Sequence, residues 1–381
     1  MMRYFVFLFL FASHFVFSQV GTGEWRLHVP TMEAIDVATK DSFVYTAYES
    51  GVMEYNIHTN EKVMLDKINY LSDIQVSCVD MDSVENALYI GYKNGNIDKI
   101  VNNQILNVPA IKLAEVTGSK QINGFYRSGS YIYIATDFCI VKFDPDKNEV
   151  KDTYYPTNSL DPIVDVLVIS DTLYALSSGM LQKAHVSNPG LSDPGYWTTD
   201  TRLTQLISAN QSYSDMEEVN GDLYVLFNIS DFGKDSVFKL NQNGYELLTD
   251  YPYSLEIRSL NNKNGDLYVC SDGSILVYNS SGVAYNNYLT SFLNIWFEPH
   301  AIAFLGPDIW VADNFENGLL RLIGNYSYTT VPFEGPPKNQ FYSMDCLNGK
   351  LAISGGLLDG IEPSFSLSGL YLFEDEKWTL K

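Results

Sequence analysis

The 381-residue sequence is poor in positive charge and in histidine. It has 24 Lys and Arg against 46 Asp and Glu, which gives a formal net charge of -22. A surface this acidic repels phosphate backbones, so we expect no nucleic-acid partner. The five histidines lie far apart in the sequence, and we therefore expect them to form neither a metal site nor a catalytic site.

The common catalytic motifs are also missing. The sequence contains no GxSxG, GxxxxGK[ST] or HExxH motif and no dinucleotide fingerprint, so we expect no enzyme activity and no cofactor. Residues 144–148 resemble the start of a calcium loop. Glu149 stands where that loop requires Gly, and Tyr155 stands where it requires Glu, so an interstrand turn is favoured.

Cysteine is also scarce. The sequence has four cysteines, Cys78, Cys139, Cys270 and Cys346. Their spacing matches no zinc pattern, and each lies in an apolar, strand-like run. We expect buried thiols that pack as small apolar groups. A Cys78–Cys346 disulfide is the alternative, since an exported protein can oxidise its cysteines.

The N-terminus predicts export. Residues 1–3 are a short positive segment, an apolar run covers residues 4–17, and Ser18 offers a small residue for cleavage before Gln19. We assign residues 1–18 to a signal peptide. No later segment has the roughly 18 consecutive apolar residues of a membrane-spanning helix. We therefore expect the mature chain to be exported, either soluble outside the cytoplasm or held to a membrane by partners.

A strand pattern recurs about every 44 residues, the period of a four-stranded propeller blade. Each copy alternates apolar and polar positions with period two, which is typical of strands. One position in each copy is marked by Tyr45, Tyr89, Tyr133, Tyr174, Tyr224, Tyr268, Trp310 and Ala352. The sequence predicts an all-β protein, a β-propeller of four-stranded antiparallel blades.

Seven blades are favoured, and eight are the alternative. The propeller is assigned to residues 19–381, with blade cores near residues 43–55, 87–101, 130–144, 171–185, 221–240, 265–278, 307–323 and 349–374. If seven blades close the ring, the eighth core begins something else. Asn94-Gly95 and Asp272-Gly273 are predicted two-residue hairpin turns. Residues 24–29 are expected to add an outer strand to the last blade and so cover its edge.

Aromatic residues, with 27 Tyr and 21 Phe, are the most abundant candidates for binding. Tyr and Trp stack on sugar faces and anchor protein interfaces. The alternative is packing between sheets, which uses most of the aromatic residues in propellers. The candidates for contact with a ligand or partner are Tyr251, Tyr253, Tyr285, Tyr288 and Trp296.

Several segments resemble a known family. Residues 23–30, 71–73 and 91–98 are similar to the N-terminal propeller of PorZ-like proteins of the type IX (Por) secretion system. The repeat endings at residues 51–55 and 369–378 also resemble two-component-regulator propeller repeats. The resemblance is sharpest over about residues 21–155.

The resemblance implies a non-enzymatic binding and assembly module. PorZ-like proteins join an attachment complex on the cell surface with the sortase PorU and the outer-membrane barrel PorV. This complex attaches anionic lipopolysaccharide to secreted cargo. One alternative is a periplasmic, oligosaccharide-sensing propeller of a hybrid two-component regulator. Another is a propeller lyase or glycosidase, which would require paired carboxylates in the central funnel.

The net charge bears on the glycan partner. A chain at -22 needs a local basic patch, bridging cations or uncharged contacts to hold an anionic glycan. The only tight basic grouping in the sequence is Lys93, Lys99 and, further along, Lys112. The sequence therefore favours protein docking over direct binding of lipopolysaccharide.

Overall fold

The computed structural model describes residues 27–203, 211–229, 235–242, 244–248, 256–336, 341–356, 358–359, 362–363, 369–375 and 377–381. These residues form eight four-stranded antiparallel sheets and one two-stranded ribbon. The prediction of an all-β propeller is confirmed. The predicted signal peptide, residues 1–18, lies outside the described residues.

Each of the first seven sheets is built from four consecutive strands of the chain. Sheets 1 to 4 hold β1 (Asp36–Lys40), β2 (Phe43–Tyr48), β3 (Gly51–Asn56), β4 (Lys62–Asp66); β5 (Val76–Asp82), β6 (Ala87–Tyr92), β7 (Ile97–Val101), β8 (Gln104–Val108); β9 (Ile122–Ser128), β10 (Tyr131–Thr136), β11 (Ile140–Asp144), β12 (Glu149–Tyr154); and β13 (Ile163–Ile169), β14 (Thr172–Ser177), β15 (Leu181–His185), β16 (Thr198–Thr199).

Sheets 5 to 7 continue this pattern, whereas a two-stranded ribbon lies between the second and third strands of sheet 8. Sheets 5 to 8 hold β17 (Gln211–Val219), β18 (Asp222–Ile229), β19 (Ser236–Asn241), β20 (Gly244–Leu247); β21 (Ile257–Lys263), β22 (Asp266–Ser271), β23 (Ser274–Tyr278), β24 (Ala284–Leu289); β25 (Pro299–Leu305), β26 (Asp308–Asp313), β27 (Gly318–Leu322), β28 (Tyr328–Thr330); and β29 (Phe341–Leu347), β30 (Lys350–Gly355), β33 (Leu370–Glu374), β34 (Lys377–Leu380). The ribbon pairs β31 (Leu358–Asp359) with β32 (Glu362–Pro363).

Helices are short in the described part of the chain. They are α1 (Ala110–Leu113), α2 (Thr290–Leu293) and one 3₁₀ turn, Pro194–Tyr196. None of the described helices has the length and apolar character needed to span a bilayer.

The first seven sheets close a ring, and we call them blades 1 to 7. The first strand of each blade contacts the first strand of the next, and β25 of blade 7 contacts β1 of blade 1. The Ala34 N–H donates to the Asp313 carbonyl at 2.8 Å, and the Gly318 N–H donates to the Met32 carbonyl at 3.0 Å. All four strands of blade 7 lie within residues 299–330. The expected N-terminal outer strand is wrong for residues 27–29, which form no strand, and residues 24–26 lie outside the described residues. Backbone bonds from residues 32–34 close the ring instead.

The apolar core lies between the blades. Seven buried clusters occupy the seven interfaces between neighbouring blades, including the interface that joins blade 7 to blade 1. The closing cluster packs Trp310 and Leu319 of blade 7 against Tyr48 and Met53 of blade 1. The interblade faces therefore bury much of the aromatic content, as propeller packing requires.

The eighth sheet lies outside this ring. Every residue of its first strand, β29, is exposed, whereas the first strands of the seven blades each contain at least one buried residue. The N-terminal segment reaches this sheet, since Trp378 Nε1 donates to His28 Nδ1 at 3.0 Å and the Phe373 ring lies 4.7 Å from the His28 ring. Ring closure thus takes seven blades. The assignment of all residues 19–381 to one domain stays a prediction.

The structure tests the two predicted hairpin turns and the calcium-like segment. Asp272-Gly273 is the two-residue link between the paired Ser271 and Ser274, with Gly273 at φ +71°. Asn94-Gly95 instead belongs to a three-residue loop that starts at Lys93, because Tyr92 bonds Asn96 across it. The calcium-like segment is an interstrand turn, in which Asp144 accepts the Lys147 N–H at 3.2 Å.

Three of the four cysteines are buried, as expected, and all four are free thiols. Cys346 is the exception, because it lies on the exposed strand β29. The prediction that it is buried was wrong, since its apolar, strand-like surroundings in the sequence have no neighbouring blade to cover them. The structure also does not form the alternative Cys78–Cys346 disulfide.

Candidate functional site

The predicted aromatic contacts separate into different environments. Tyr288 is only 8% exposed and packs in the cluster between blades 6 and 7. Tyr285 and Trp296 are exposed by 56% and 44%. Tyr251 and Tyr253 lie outside the described residues. The structure thus leaves the rings of Tyr285 and Trp296 accessible, and their role in binding stays a prediction.

Carboxylates hold the polar ends of these two exposed side chains. The Tyr285 hydroxyl donates to Asp266 Oδ2 at 2.6 Å, and this bond raises the pKa of Tyr285 to about 12. Trp296 Nε1 donates to Glu298 Oε1 at 3.2 Å. A fixed ring with a satisfied polar end is suited to stacking, because little side-chain freedom is lost on contact.

One end of the ring axis is lined by bulged residues. The first strand of six blades carries one extra residue at nearly the same place, and these residues are Ser77, Asn123, Val164, Ser214, Arg258 and His300. A bulge re-aims its side chain out of the ladder. Three of these side chains reach a carbonyl of the next blade, in the pairs Ser77–Ile122 (2.7 Å), Asn123–Ile163 (2.8 Å) and His300–Ile35 (3.1 Å).

Two clefts open at this end, and both include His300. The first has a volume of ≈240 Å³, and its lining includes Glu33, Glu49 and Lys93. The second has a volume of ≈430 Å³, and its lining includes Ser214 and Arg258. Both linings carry charge of both signs. We call this end of the ring the mouth, and its polar side chains could bind a polar ligand.

The Arg258 guanidinium at this mouth is neutralised from several sides. Its nearest carboxylates are Asp272 at 2.8 Å, Glu256 at 2.9 Å and Glu298 at 3.8 Å. The Asp272 hydrogen bond is the main cause that raises the pKa of Arg258. An anion approaching the mouth therefore meets an arginine whose charge is already shared among three carboxylates.

A second feature of the axis is a set of carboxylates on the first strands, which the sequence analysis did not single out. Three of them accept backbone N–H groups of the next blade, in the pairs Asp36–Val79 (2.8 Å), Asp165–Met216 (3.1 Å) and Asp215–Leu260 (2.6 Å). The available signal was an acid that precedes a buried apolar residue at the same place in the repeat: Asp36-Val37, Asp165-Val166 and Asp215-Met216.

The carboxyl groups of this set have raised pKa values. Burial raises the pKa of Asp36 and Asp215 to about 7 and that of Glu217 to about 8. Burial and the neighbouring Asp215 raise the pKa of Asp165 well above its usual value. Asp165, Asp215 and Glu217 thus form an interacting group on two adjacent first strands.

The geometry gives Asp165 and Asp215 a structural use. Each already accepts a backbone N–H across a blade boundary, so their oxygens connect neighbouring blades. Among the residues that the structure describes, no group of three or more His, Cys, Asp or Glu side chains is arranged to hold a metal ion. These hydrogen bonds connect neighbouring blades of the ring, and the described geometry gives no catalytic evidence.

The predicted basic grouping is neutralised by ion pairs. Lys93 pairs with Glu49 at 2.7 Å, Lys99 with Glu85 at 2.9 Å and Lys112 with Asp73 at 2.5 Å. A salt-bridged lysine offers little attraction to a phosphate or sulfate group. These three residues therefore do not provide a free basic patch for an anionic glycan.

Comparison with known proteins places this geometry in context. Residues 44–198, which run from blade 1 into blade 4, match the model of the PorZ N-terminal β-propeller domain of the type IX secretion system. No curated protein sequence matches the chain. Two WD40 propellers, the Doa1 domain and the RRP9 repeats, align over 78% and 76% of the chain. Each is 12% identical to it, with TM-scores of 0.56 and 0.54, and covers 93% and 89% of its own chain.

A third structure aligns over nearly the whole chain. It is PorZ of Porphyromonas gingivalis, described as an essential bacterial surface component of the type IX secretion system. The alignment covers 93% of this chain at 20% identity with a TM-score of 0.72. It covers only 46% of PorZ, so the present chain spans about half the length of that protein. Residues 44–198 are therefore similar to the PorZ N-terminal propeller domain, and the alignment with PorZ shows a shared propeller fold.

Proposed function

We propose that the chain is a non-enzymatic binding and assembly module of the type IX attachment complex at the cell surface. In this role it contacts the sortase PorU and the outer-membrane barrel PorV, and it supports the attachment of anionic lipopolysaccharide to secreted cargo. The observation that carries the proposal is the match of residues 44–198 to the PorZ N-terminal propeller family.

The eighth sheet supports an assembly role because it exposes apolar side chains along one strand. Met344 is 67% exposed and Leu347 is 72% exposed, and they lie on opposite faces of β29 because they are three residues apart. Apolar side chains are therefore exposed on both faces of this strand, and exposed apolar surface is typical of protein interfaces. We place the docking surface for a protein of the attachment complex on β29.

The electrostatics support protein contacts over direct glycan contacts. The net charge is -22, and the three clustered lysines are each paired with a carboxylate. In our proposal the sortase handles the lipopolysaccharide, and this chain provides the protein surface that holds the complex together.

Export is part of the proposal. We propose that residues 1–18 are removed and that the mature chain begins at Gln19. Intact-mass measurement of the secreted protein tests this directly. The mass of a chain that still carries residues 1–18 would contradict it.

Affinity purification tests the assembly role. The full chain, tagged and expressed in a bacterium that has the type IX system, is expected to recover the sortase and the barrel from detergent-solubilised membranes. A Met344→Lys/Leu347→Lys variant is expected to lower that recovery about tenfold while its melting temperature stays unchanged, because both side chains are exposed.

The matched control places the same charges on the ring. Val84→Lys/Leu113→Lys replaces two side chains that are 68% and 73% exposed in blade 2, and it should leave the recovery unchanged. Failure of the unmodified chain to recover either partner would overturn the assembly role. Equal recovery with the β29 variant would overturn only the docking surface.

A further inference from the structure

A cation and an aromatic residue face each other in most blades. On the second and third strands of five blades, the directly opposed residues are Tyr89–Lys99, Tyr133–Lys142, Tyr174–Lys183, Tyr224–Lys239 and Trp310–Arg321. Three of these cations lie 5.5 to 5.7 Å from the centre of the opposed ring. The same three also pair with an acid on the preceding turn or at the start of the second strand, namely Glu85, Asp222 and Asp308.

Blade 1 breaks this pattern. Its aromatic residue, Tyr45, faces Glu54 where five of the other blades place a cation, whereas blade 6 places the uncharged Val277 opposite Tyr268. Asp41 lies four residues before Tyr45, as Glu85 lies four residues before Tyr89 in blade 2. Blade 1 therefore keeps the aromatic side chain, Tyr45, and the acid four residues before it, Asp41. It has a second carboxylate, Glu54, at the position that a cation occupies in five other blades.

A cleft lies at this position, between blades 1 and 2. Its volume is ≈390 Å³, and its lining includes Asp41, Tyr45 and Glu54. The rings of Phe43 and Tyr45 are stacked there, with centres 6.2 Å apart and planes inclined by 29°. Its apolar wall consists of Val63, Leu65, Ile100 and Ile105. The cleft thus combines an apolar wall, two stacked aromatic rings and two carboxylates.

The two carboxylates in the cleft lining, Asp41 and Glu54, outnumber its one lysine, Lys40. Tyr45 lies directly opposite Glu54 on the paired strands β2 and β3, and Glu54 has no ion-pair partner among the residues that the structure describes. Lys40 lines the same cleft, and its Nζ donates to the Asn86 carbonyl of blade 2 at 2.8 Å. Lys263 makes the equivalent bond from blade 6 to Gly306 of blade 7, so Lys40 is a bridge between blades.

We propose that this cleft binds the side chain of a lysine from a peptide or protein partner. The ammonium group would lie at Tyr45, Glu54 and Asp41, as Lys99 lies against Tyr89 and Glu85 in blade 2. The methylene groups of the lysine would pack on the wall formed by Val63, Leu65, Ile100 and Ile105. An amino sugar also carries a cation, but it lacks the apolar chain that this wall fits.

Titration of the isolated chain tests the proposal with defined probes. Nα-acetyl-lysine methylamide is expected to bind saturably, as followed by ligand-observed NMR. Its norleucine counterpart has the same chain without the ammonium group and is expected to show no saturable binding. Glucosamine is the probe for the amino-sugar source.

Two substitutions of Glu54 separate an effect on binding from an effect on folding. Glu54→Gln removes the charge and should weaken lysine binding about tenfold. Glu54→Lys recreates the blade 2 arrangement with its own cation, so it should abolish binding while the melting temperature is kept or raised. Glu61→Gln is the matched control, because Glu61 is an exposed acid on the neighbouring turn of the same blade and its loss should leave binding unchanged.

Each outcome of the titrations either supports the lysine-binding proposal or overturns it. Binding of the lysine probe that is lost in both Glu54 variants supports the proposal. Equal binding of the norleucine probe, unchanged binding by Glu54→Gln, or binding of glucosamine alone would overturn it. The test uses no component of the secretion system, so its failure would leave the assembly role untouched.

Discussion

The N–H of Leu260 donates a 2.6 Å hydrogen bond to the Asp215 carboxylate of the neighbouring blade. Asp165 and Asp36 make the same kind of connection at two other blade boundaries. Each bond fixes the first strand of one blade against the next. The ring is therefore fastened near its axis by buried acids as well as by the apolar clusters between the blades.

These acids predict that stability falls as the pH rises. The folded-state pKa values of Asp215 and Glu217 are raised to about 7 and about 8, above the ordinary values of 3.8 and 4.5. The folded chain therefore holds protons that the unfolded chain releases over this range, and stability is lost as the pH passes through the raised values. We expect a higher melting temperature near about pH 5.5 than near about pH 8.

The Asp215→Asn variant is the control for this pH effect. Its amide oxygen still accepts the Leu260 N–H, but the side chain no longer titrates. The melting temperature of the variant should depend less on pH than that of the unmodified chain. An identical pH profile for the two proteins would show that Asp215 does not cause the effect.

The closing interface predicts a large cost for one core substitution. Leu319 is fully buried between blades 7 and 1, so Leu319→Ala should lower the free energy of unfolding by about 2–5 kcal/mol. Leu347→Ala removes the same atoms from the exposed strand β29 and should change it by less than about 0.5 kcal/mol. Urea unfolding measures both changes, and similar costs at the two sites would contradict seven-blade closure.

Two glycines with similar backbone angles give a matched pair. At Gly318 (φ +63°) an added Cβ would lie 1.9 Å from the Thr31 carbonyl oxygen, whereas at Gly306 (φ +61°) it would meet no atom within 4 Å. Gly306→Ala should cost about 1–2 kcal/mol from backbone strain alone. Gly318→Ala should cost clearly more, because residues 31–32 must move and the bond to Met32 weakens. Equal losses of unfolding free energy would refute close packing at the ring closure.

Thiol reactivity is expected to differ among the cysteines. Burial raises the pKa of Cys139 and Cys270 to about 12 and raises that of Cys78, whereas Cys346 is exposed. A maleimide reagent at neutral pH should modify one thiol in the native protein and all four after unfolding. Cys346→Ser should abolish the native reaction. Rapid modification of that variant would mean that a second thiol is accessible.

The repeat predicted the fold because blade packing imposes it on the sequence. Tyr89, Tyr224 and Trp310 mark the second strand in blades 2, 5 and 7, and each is buried against a neighbouring blade. Ring closure was harder to predict, because residues 24–29 look like a strand whether or not a sheet edge is free to receive them. The bonds from residues 32–34 depend on contacts with residues nearly 280 positions away.

The candidate contacts were predictable only in part. Tyr285 and Tyr288 lie on one strand, but Tyr285 is the extra residue of a β-bulge, so their three-residue spacing does not fix which side of the sheet each faces. Which of them is buried depends on the neighbouring blade, and sequence spacing does not supply that information. The Glu54 position has the same limit, because its departure from the other blades becomes visible only once strand pairing sets it opposite Tyr45.

Hydrogen exchange tests the central structural claim, that seven blades close and β29 remains free for docking. In the isolated chain the amides of Ala34 and Gly318, which bond across the closing interface, should be protected nearly as well as the core strands. The amides of residues 341–347 should exchange much faster. Strong protection of β29 together with fast exchange at Ala34 and Gly318 would contradict the account.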